Sequence, residues 1–111
     1  MDTQLKKGLL EICVLSLLRR EDSYGYKIMG DLPPYAAVSE STLYPILKRL
    51  EAGGCLLTYT QAHNGRLRKY YRITPEGQQR IAEFIDQWRE IEKIYHFIIE
   101  EDQTDGPREI F

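Results

Sequence analysis

The sequence contains few of the residues on which metal sites, disulfide frameworks and most active sites depend. Its two cysteines are Cys13 and Cys55, and its two histidines are His63 and His96. Two cysteines are too few for a disulfide framework or a zinc site, and the histidines lie in predicted elements of different kinds. A nucleophile elbow and a phosphate-binding loop are also missing. We therefore expect neither an enzyme nor a bound cofactor or metal.

Long apolar runs are lacking as well. The longest, residues 12–18, is interrupted by Ser16 and falls far short of the ~20 residues that span a membrane. Residues 1–8 do not have the layout of a signal peptide, because the apolar segment that follows contains Glu11 and no small-residue cleavage site. We therefore expect a cytoplasmic protein without a membrane partner.

A strong net charge is absent, since the chain carries −2, but the charges are unevenly distributed. Lys and Arg outnumber Asp and Glu by 11 to 7 in residues 1–74 and are outnumbered by 10 to 4 in residues 75–111. Any binding to nucleic acid must therefore come from a local basic patch in the first segment.

The sequence predicts two helices before residue 35. The first, residues 3–20, is capped by Thr3 and is apolar around most of its circumference, which indicates burial on more than one side. We expect a second subunit to cover part of it. The second helix is capped by Ser23 and ends before Pro33-Pro34.

A third helix carries an apolar stripe at positions i, i+3, i+4 and i+7, formed by Leu43, Ile46, Leu47 and Leu50. Because Pro45 is tolerated only in a first turn, we place its start at Ser41 or Thr42, with Ser39 as the alternative cap and glycines 53–54 as its end. Its polar face carries side chains of the kinds that contact phosphates and base edges, namely Ser41, Thr42, Tyr44, Lys48 and Arg49. An ordinary surface helix is the alternative.

A β-hairpin follows, because Asn64-Gly65 is a strong turn signal between strands predicted at 55–62 and 67–74. Its tip carries polar and basic side chains, namely His63, Asn64, Arg66, Arg68 and Lys69. A charge-protected sheet edge is the alternative to a binding role.

A long helix is predicted from Pro75 to about Asp102, with Thr74 as its cap. Its apolar stripe includes Ile81, Phe84, Ile85, Trp88, Ile91, Tyr95 and Ile98. Such a helix reaches about 40 Å, which is longer than a small helical core covers. Residues 103–111 are expected to be disordered.

The order of these elements predicts a winged helix-turn-helix, mainly α with a small β-hairpin and one long C-terminal helix. In that fold the third helix enters the major groove of DNA and the hairpin, or wing, reaches the flanking backbone or minor groove. We therefore predict a DNA-binding domain at residues 1–74, a dimerisation helix at 75–102 and a tail at 103–111.

The sequence also resembles the PadR-like transcriptional regulators, over residues 5 to about 99. The matching segments are 7–11 (KGLLE), 23–26 (SYGY), 41–51 (STLYPILKRLE), Gly54, 68–74 (RKYYRIT) and Gly77. The single C-terminal helix is similar to that of the short-tailed branch of the family.

The resemblance implies a homodimer, usually a repressor, that binds double-stranded DNA at inverted-repeat operators. In such proteins the C-terminal helix packs against the partner's N-terminal helix. The recognition contacts carry over to Ser41, Thr42, Tyr44 and Lys48, with Arg49 as a weaker candidate. The wing contacts carry over to Arg66, Arg68 and Lys69. Lys6 and Lys7 either touch phosphate or are solvated. The ring of Tyr44 either faces DNA or packs on the second helix, leaving only its hydroxyl for phosphate.

Trp88 has two interpretations. In the multidrug-responsive members that the chain resembles, a tryptophan at this place faces its partner across the dimer axis and stacks planar drugs. This implies a small aromatic or hydrophobic effector near Phe84, Trp88, Ile91 and Tyr95. A plain dimer core explains the same residues.

A winged helix that binds protein instead of DNA is the alternative function, because a fold does not fix a function. The polar face of the third helix argues for DNA, since it carries Ser41, Lys48 and Arg49 where protein binders tend to be apolar or acidic.

Overall fold

The computed structural model describes the backbone of residues 2–110 and the side chains of residues 2–102. Its elements, in chain order, are α1 (Thr3–Arg20), β1 (Ser23–Tyr24), α2 (Gly25–Asp31), a 3₁₀ turn (Pro34–Ala36), α3 (Glu40–Ala52), β2 (Leu56–His63), β3 (Arg66–Ile73) and α4 (Pro75–Ile110). The predicted class, mainly α with a small hairpin and a long C-terminal helix, is confirmed. The predicted tail at 103–111 lies outside the residues whose side chains are described.

The chain divides into two compact units, Met1–Ile81 and Ala82–Phe111. The first contains all elements up to the opening turns of α4, and the second contains the remainder of that helix. The opening turns belong to the first unit because Ile81 is buried and Arg80 pairs with Glu11 of α1. The apolar stripe of α4 therefore begins inside the first compact unit, beyond the boundary at residue 74 predicted from the sequence.

The sheet is antiparallel and has the strand order β1-β3-β2. Its hairpin turns at Asn64 and Gly65, whose φ angles of 52° and 78° confirm the predicted turn. The strand β1 was not predicted. Ser23 lies in β1 and pairs with Tyr71 of β3, instead of capping α2, which begins at Gly25. A two-residue strand is too short to show an alternating pattern, and the pairing partner lies far away in the chain.

Two helix starts also differ from prediction. The cap of α1 is Asp2, whose Oδ1 accepts hydrogen bonds from the backbone N–H groups of residues 4 and 5 at 2.7 and 3.1 Å. Aspartate caps at least as well as the predicted Thr3. For α3 the alternative cap position is the observed one, since Ser39 precedes a helix that starts at Glu40 and contains Pro45. Its end at Gly53, followed by Gly54 with φ +79°, is as predicted.

The core lies in the first unit, where α1, α2 and α3 meet. Its largest fully buried side chains are Val14, Leu15, Leu18, Ile28, Leu43, Ile46, Leu47 and Leu50. The whole predicted apolar stripe of α3 is among them, so its polar face is necessarily turned outward. Cys55, predicted to open the first strand of the hairpin, is buried immediately before β2 begins at Leu56.

The start of α4 is fixed by two short-range constraints. Thr74 Oγ1 accepts a hydrogen bond from the Gly77 N–H at 3.1 Å and donates one to the Gly54 carbonyl at 2.6 Å, which confirms the predicted cap. A Cβ atom on Gly77 would lie only 2.5 Å from the Cys55 carbonyl oxygen and 2.6 Å from Ile73 Cγ1. Only glycine allows this close approach of the helix to the sheet.

We predict that Gly77→Ala lowers the free energy of unfolding by about 1–3 kcal/mol, the usual cost of overpacking a close contact. The backbone carbonyl of Cys55 cannot rotate away, so the helix must shift. Chemical denaturation measures the loss. Gly30→Ala is the matched control, because a Cβ there meets nothing within 4 Å and the substitution should stabilise α2. Equal stability of Gly77→Ala and the native protein would contradict the prediction.

Candidate nucleic-acid interface

The outward face of α3 is built by the burial of its apolar stripe. Every residue proposed from the sequence for this face is exposed, namely Ser41, Thr42, Tyr44, Lys48 and Arg49. Ser39 Oγ lies 2.9 Å from Ser41 Oγ and donates to Thr42 Oγ1 at 3.3 Å. The first turn of α3 therefore presents a small cluster of hydroxyl groups, and Lys48 adds a positive charge further along the same helix.

Tyr44 lies against the start of α2. A Cβ atom on Gly25 would lie 2.4 Å from Tyr44 Oη and 2.8 Å from its Cζ, so the ring occupies space that only glycine leaves open. The Tyr44 residue is 45% exposed. The ring therefore packs on the second helix, as one of the two interpretations expected, but its hydroxyl lies beside Gly25.

Arg49 has an internal partner that the sequence analysis missed. Its Nε donates to Glu11 Oε2 at 3.0 Å, and Arg80 pairs with the other oxygen of the same carboxylate. The Glu11 side chain is 11% exposed, whereas those of Arg49 and Arg80 are 46% and 39% exposed. The sequence did contain a signal for this contact. Glu11 is the single acidic residue in the most apolar helix, and a buried charge requires a partner.

The wing places its basic residues on two faces of the sheet. Side chains alternate along β3, so Arg66 and Arg68 share the outer face of the sheet with Tyr70, and Lys69 shares the inner face with the buried Tyr71. Arg68 Cζ lies 4.5 Å from the centroid of the Tyr24 ring. Lys69 Nζ lies 3.8 Å from Glu51 Oε1 at the end of α3. The wing cations are therefore held near β1 and α3.

An array of aromatic rings covers the outer face of the sheet and was not predicted. Tyr24 lies 5.5 Å from His63 and 5.4 Å from Tyr70, and Tyr59 stacks on Tyr70 at 5.5 Å. These are favourable ring separations. The three strands are thus joined by side chains that are distant in sequence.

Asp22 anchors one end of this array. Its Oδ2 accepts hydrogen bonds from Tyr59 Oη at 2.6 Å and from Arg72 Nε at 3.0 Å. Burial raises the pKa of the Asp22 carboxyl, but the hydrogen bonds from Tyr59 and Arg72 and the charge of Arg72 outweigh it, so the pKa lies below its ordinary value.

The second unit presents an apolar face along α4. Phe84 and Trp88 stack with ring centroids 5.7 Å apart. The exposed large apolar residues on this part of the helix are Ile85, Trp88, Ile91, Ile94, Tyr95, Phe97 and Ile98. No side chain described in the second unit covers this face, and a contiguous apolar patch of this kind marks an interaction site.

The described side chains include no group of three or more His, Cys, Asp or Glu residues placed to hold a metal ion. None of the helices in the described part of the chain has the length and apolar character that crossing a membrane requires.

The comparison with known proteins matches this chain to one family. The family model described as "Transcriptional regulator PadR-like family" matches residues 14–83, a segment that contains α2, α3 and the complete wing. The matched region therefore includes every candidate DNA contact on α3 and on the wing.

Solved structures and one curated relative agree with this match. The structure of smu.1704 from Streptococcus mutans UA159 is 41% identical, with a TM-score of 0.76 over 85% of this chain and 89% of that one. A PadR family transcriptional regulator from Eggerthella lenta DSM 2243 is 35% identical, with a TM-score of 0.75 over 87% of each chain. Transcriptional regulator Rv3488 of Mycobacterium tuberculosis is 48% identical over 46 residues, 41% of this chain and 43% of that protein.

We predict that Asp22→Asn destabilises the sheet in a pH-dependent manner. Because the folded-state pKa of Asp22 is lowered, its contribution is fully present above the unfolded-state pKa of about 3.9 and is lost as the pH falls through the folded-state pKa. The difference in unfolding free energy between native and variant proteins should therefore shrink below about pH 4. Denaturant unfolding between about pH 3 and pH 7 measures it.

Asp86→Asn is the control, because Asp86 is an exposed carboxylate on α4. It should change stability little at any pH. If the difference in unfolding free energy between the native protein and Asp22→Asn stays constant over the whole pH range, ionisation of the Asp22 carboxyl contributes nothing to stability.

Proposed function

Since this chain belongs to the transcriptional regulator PadR-like family, we propose that it is a homodimeric repressor that binds inverted-repeat operator DNA in the cytoplasm. The observation that carries the proposal is the outward polar face of α3, with basic wing residues in the same compact unit. The net charge of −2 makes the local arrangement decisive, because the molecule as a whole does not attract DNA strongly.

In this proposal α3 lies in the major groove. Ser41, Thr42 and Lys48 supply hydroxyl and ammonium groups to base edges and phosphates. Tyr44 supplies its exposed edge. Arg66, Arg68 and Lys69 of the wing contact the flanking backbone or the minor groove. Phosphate contacts position the domain, and the first turn of α3 reads the sequence.

Arg49 has a different part in this proposal. Its guanidinium already donates to the buried carboxylate of Glu11, so a phosphate would compete with that ion pair. Its exposed side still allows an approach to DNA. We assign Arg49 first to the orientation of α3 on α1 and second to DNA contact.

In a homodimer, the partner subunit covers the apolar face of α4. Seven isoleucine or aromatic residues from Ile85 to Ile98 on that helix are each between 38% and 62% exposed, which a monomer in water rarely sustains. On α1, Leu5 is 47% exposed, and Leu9, Cys13 and Leu17 are incompletely buried at the same helical spacing. If the α4 helix of a partner subunit packs on this stripe of α1, both apolar surfaces are buried. The two-fold symmetry of such a dimer matches that of an inverted repeat.

Selection of bound sequences from a random double-stranded DNA pool, at near-physiological salt, tests the proposal. We expect an enriched inverted repeat with half-site centres about one helical turn, roughly 10 base pairs, apart. Lys48→Ala should weaken binding to that sequence and reduce the slope of log affinity against log salt by about one unit. Lys93→Ala, at an exposed position on α4, is the control and should change neither.

The absence of any enriched sequence from a folded, dimeric protein would contradict DNA binding. That result would favour the protein-binding winged helix. Enrichment of a single half-site would instead contradict the symmetric dimer.

A small aromatic effector is a second part of the proposal, supported by the stacked pair of Phe84 and Trp88. Planar cationic or aromatic dyes should quench the fluorescence of Trp88, the single tryptophan, and should weaken operator binding. Phe84→Ala should weaken dye binding, whereas Tyr35→Ala, which changes a 91% exposed ring in the other unit, should not. Unchanged fluorescence across a varied dye panel would refute an effector site of this type.

A further inference from the structure

A cleft of about 240 Å³ opens between β3, the start of α2 and α3. Its lining includes Tyr24, Gly25, Tyr26, Tyr44, Arg68 and Lys69. All of these residues belong to the first compact unit. The cleft therefore joins the two surfaces proposed to contact DNA, the recognition helix and the wing, at the place where they come closest to α2.

The cleft exists because β1 is short. β1 pairs only with Tyr70 and Tyr71 of β3, after which the chain turns into α2 at Gly25. The edge of β3 around Arg68 and Lys69 is thus left without a strand neighbour on the β1 side. On the opposite side of the cleft, Gly25 leaves space for Tyr44, since a Cβ atom at Gly25 would collide with the Tyr44 hydroxyl.

Arg68 is the residue in the cleft whose hydrogen bonding is incomplete. Among the described side chains, Arg68 Nε is shielded from solvent and has no hydrogen-bond partner. The guanidinium carbon lies over the Tyr24 ring, 4.5 Å from its centroid. Because Nε is closed to solvent, a ligand in the cleft would meet the two terminal nitrogens of the guanidinium, which form a planar pair of donors that suits a phosphate.

Lys69 adds a second positive charge to the same cleft. Its Nζ lies 3.8 Å from Glu51 Oε1, which is an ion pair but too long for a hydrogen bond. Glu51 in turn accepts a hydrogen bond from Thr58 Oγ1 at 3.2 Å. The carboxylate therefore has a second partner outside the lining of the cleft, and the ammonium keeps donors for a stronger anion. Tyr26, 72% exposed, places a phenol at the rim.

We propose that this cleft holds one backbone phosphate of the operator in each half-site, with Arg68 as its principal donor. The inference rests on the proposed function and adds Tyr24, Gly25 and Tyr26 to it. Tyr24 orients the guanidinium, Gly25 leaves space for the Tyr44 ring, and Tyr26 and Tyr44 offer hydroxyl donors. A phosphodiester fits because its two free oxygens accept several donors at once, whereas a base edge in this cleft would have to leave the groove.

The test uses the operator obtained by selection, remade with single methylphosphonate groups that remove the charge of one phosphate at a time. The native protein should lose about tenfold in affinity or more at one phosphate of each half-site, the effect of losing a charged hydrogen bond. Arg68→Ala should lose a similar factor on the unmodified operator and almost nothing further at that phosphate. Arg68→Lys, which keeps the charge but lacks the planar guanidinium, should recover only part of the affinity.

Arg66→Ala is the matched control, because Arg66 is an exposed wing cation on the same face of β3 that does not line the cleft. Its effect should add to that of the methylphosphonate at this phosphate. Circular dichroism melting confirms that each variant is folded. If the losses for Arg68→Ala and for every single methylphosphonate simply add, this inference is overturned while the proposed function stands. A native protein that selects no operator overturns both.

Discussion

The carboxylate of Glu11 is the interaction on which the arrangement of the first unit depends. It lies within an otherwise apolar helix and holds Arg49 of α3 on one oxygen and Arg80 of α4 on the other. Removing one partner of a fully buried ion pair costs about 3–5 kcal/mol, but both guanidinium groups are partly in solvent, so screening reduces that figure here. The three helices are thus oriented by one charge rather than by apolar packing alone.

Glycine at two positions permits close contacts within the first unit. Gly77 lets the first turn of α4 approach the Cys55 carbonyl, and Gly25 lets Tyr44 lie against α2. The wing is held differently, by tyrosine rings across three strands and by Asp22 beneath them. Recognition helix and wing are also joined directly, because Lys69 and Thr58 of the wing both contact Glu51 at the end of α3.

The surfaces proposed for DNA binding and for dimerisation lie in different compact units. The first carries the basic surface, and the second carries an exposed apolar face on one long helix. Arg80 stands at the start of that helix and reaches Glu11, whose other partner is on α3. A physical connection therefore runs from the base of the proposed dimer helix to the proposed recognition helix. Family membership shows a transcriptional regulator, and these contacts suggest how its DNA-binding unit is held.

The sequence by itself determined the elements whose signals are local. The stripe of Leu43, Ile46, Leu47 and Leu50, the Asn64-Gly65 turn and the Thr74 cap each occupy a few consecutive residues, so periodicity and turn chemistry were enough. Tertiary structure alone decided β1, the Glu11 ion pairs and the partner of Arg68, because their members lie tens of residues apart. Pairing across such distances depends on how the core packs, and no local pattern encodes it.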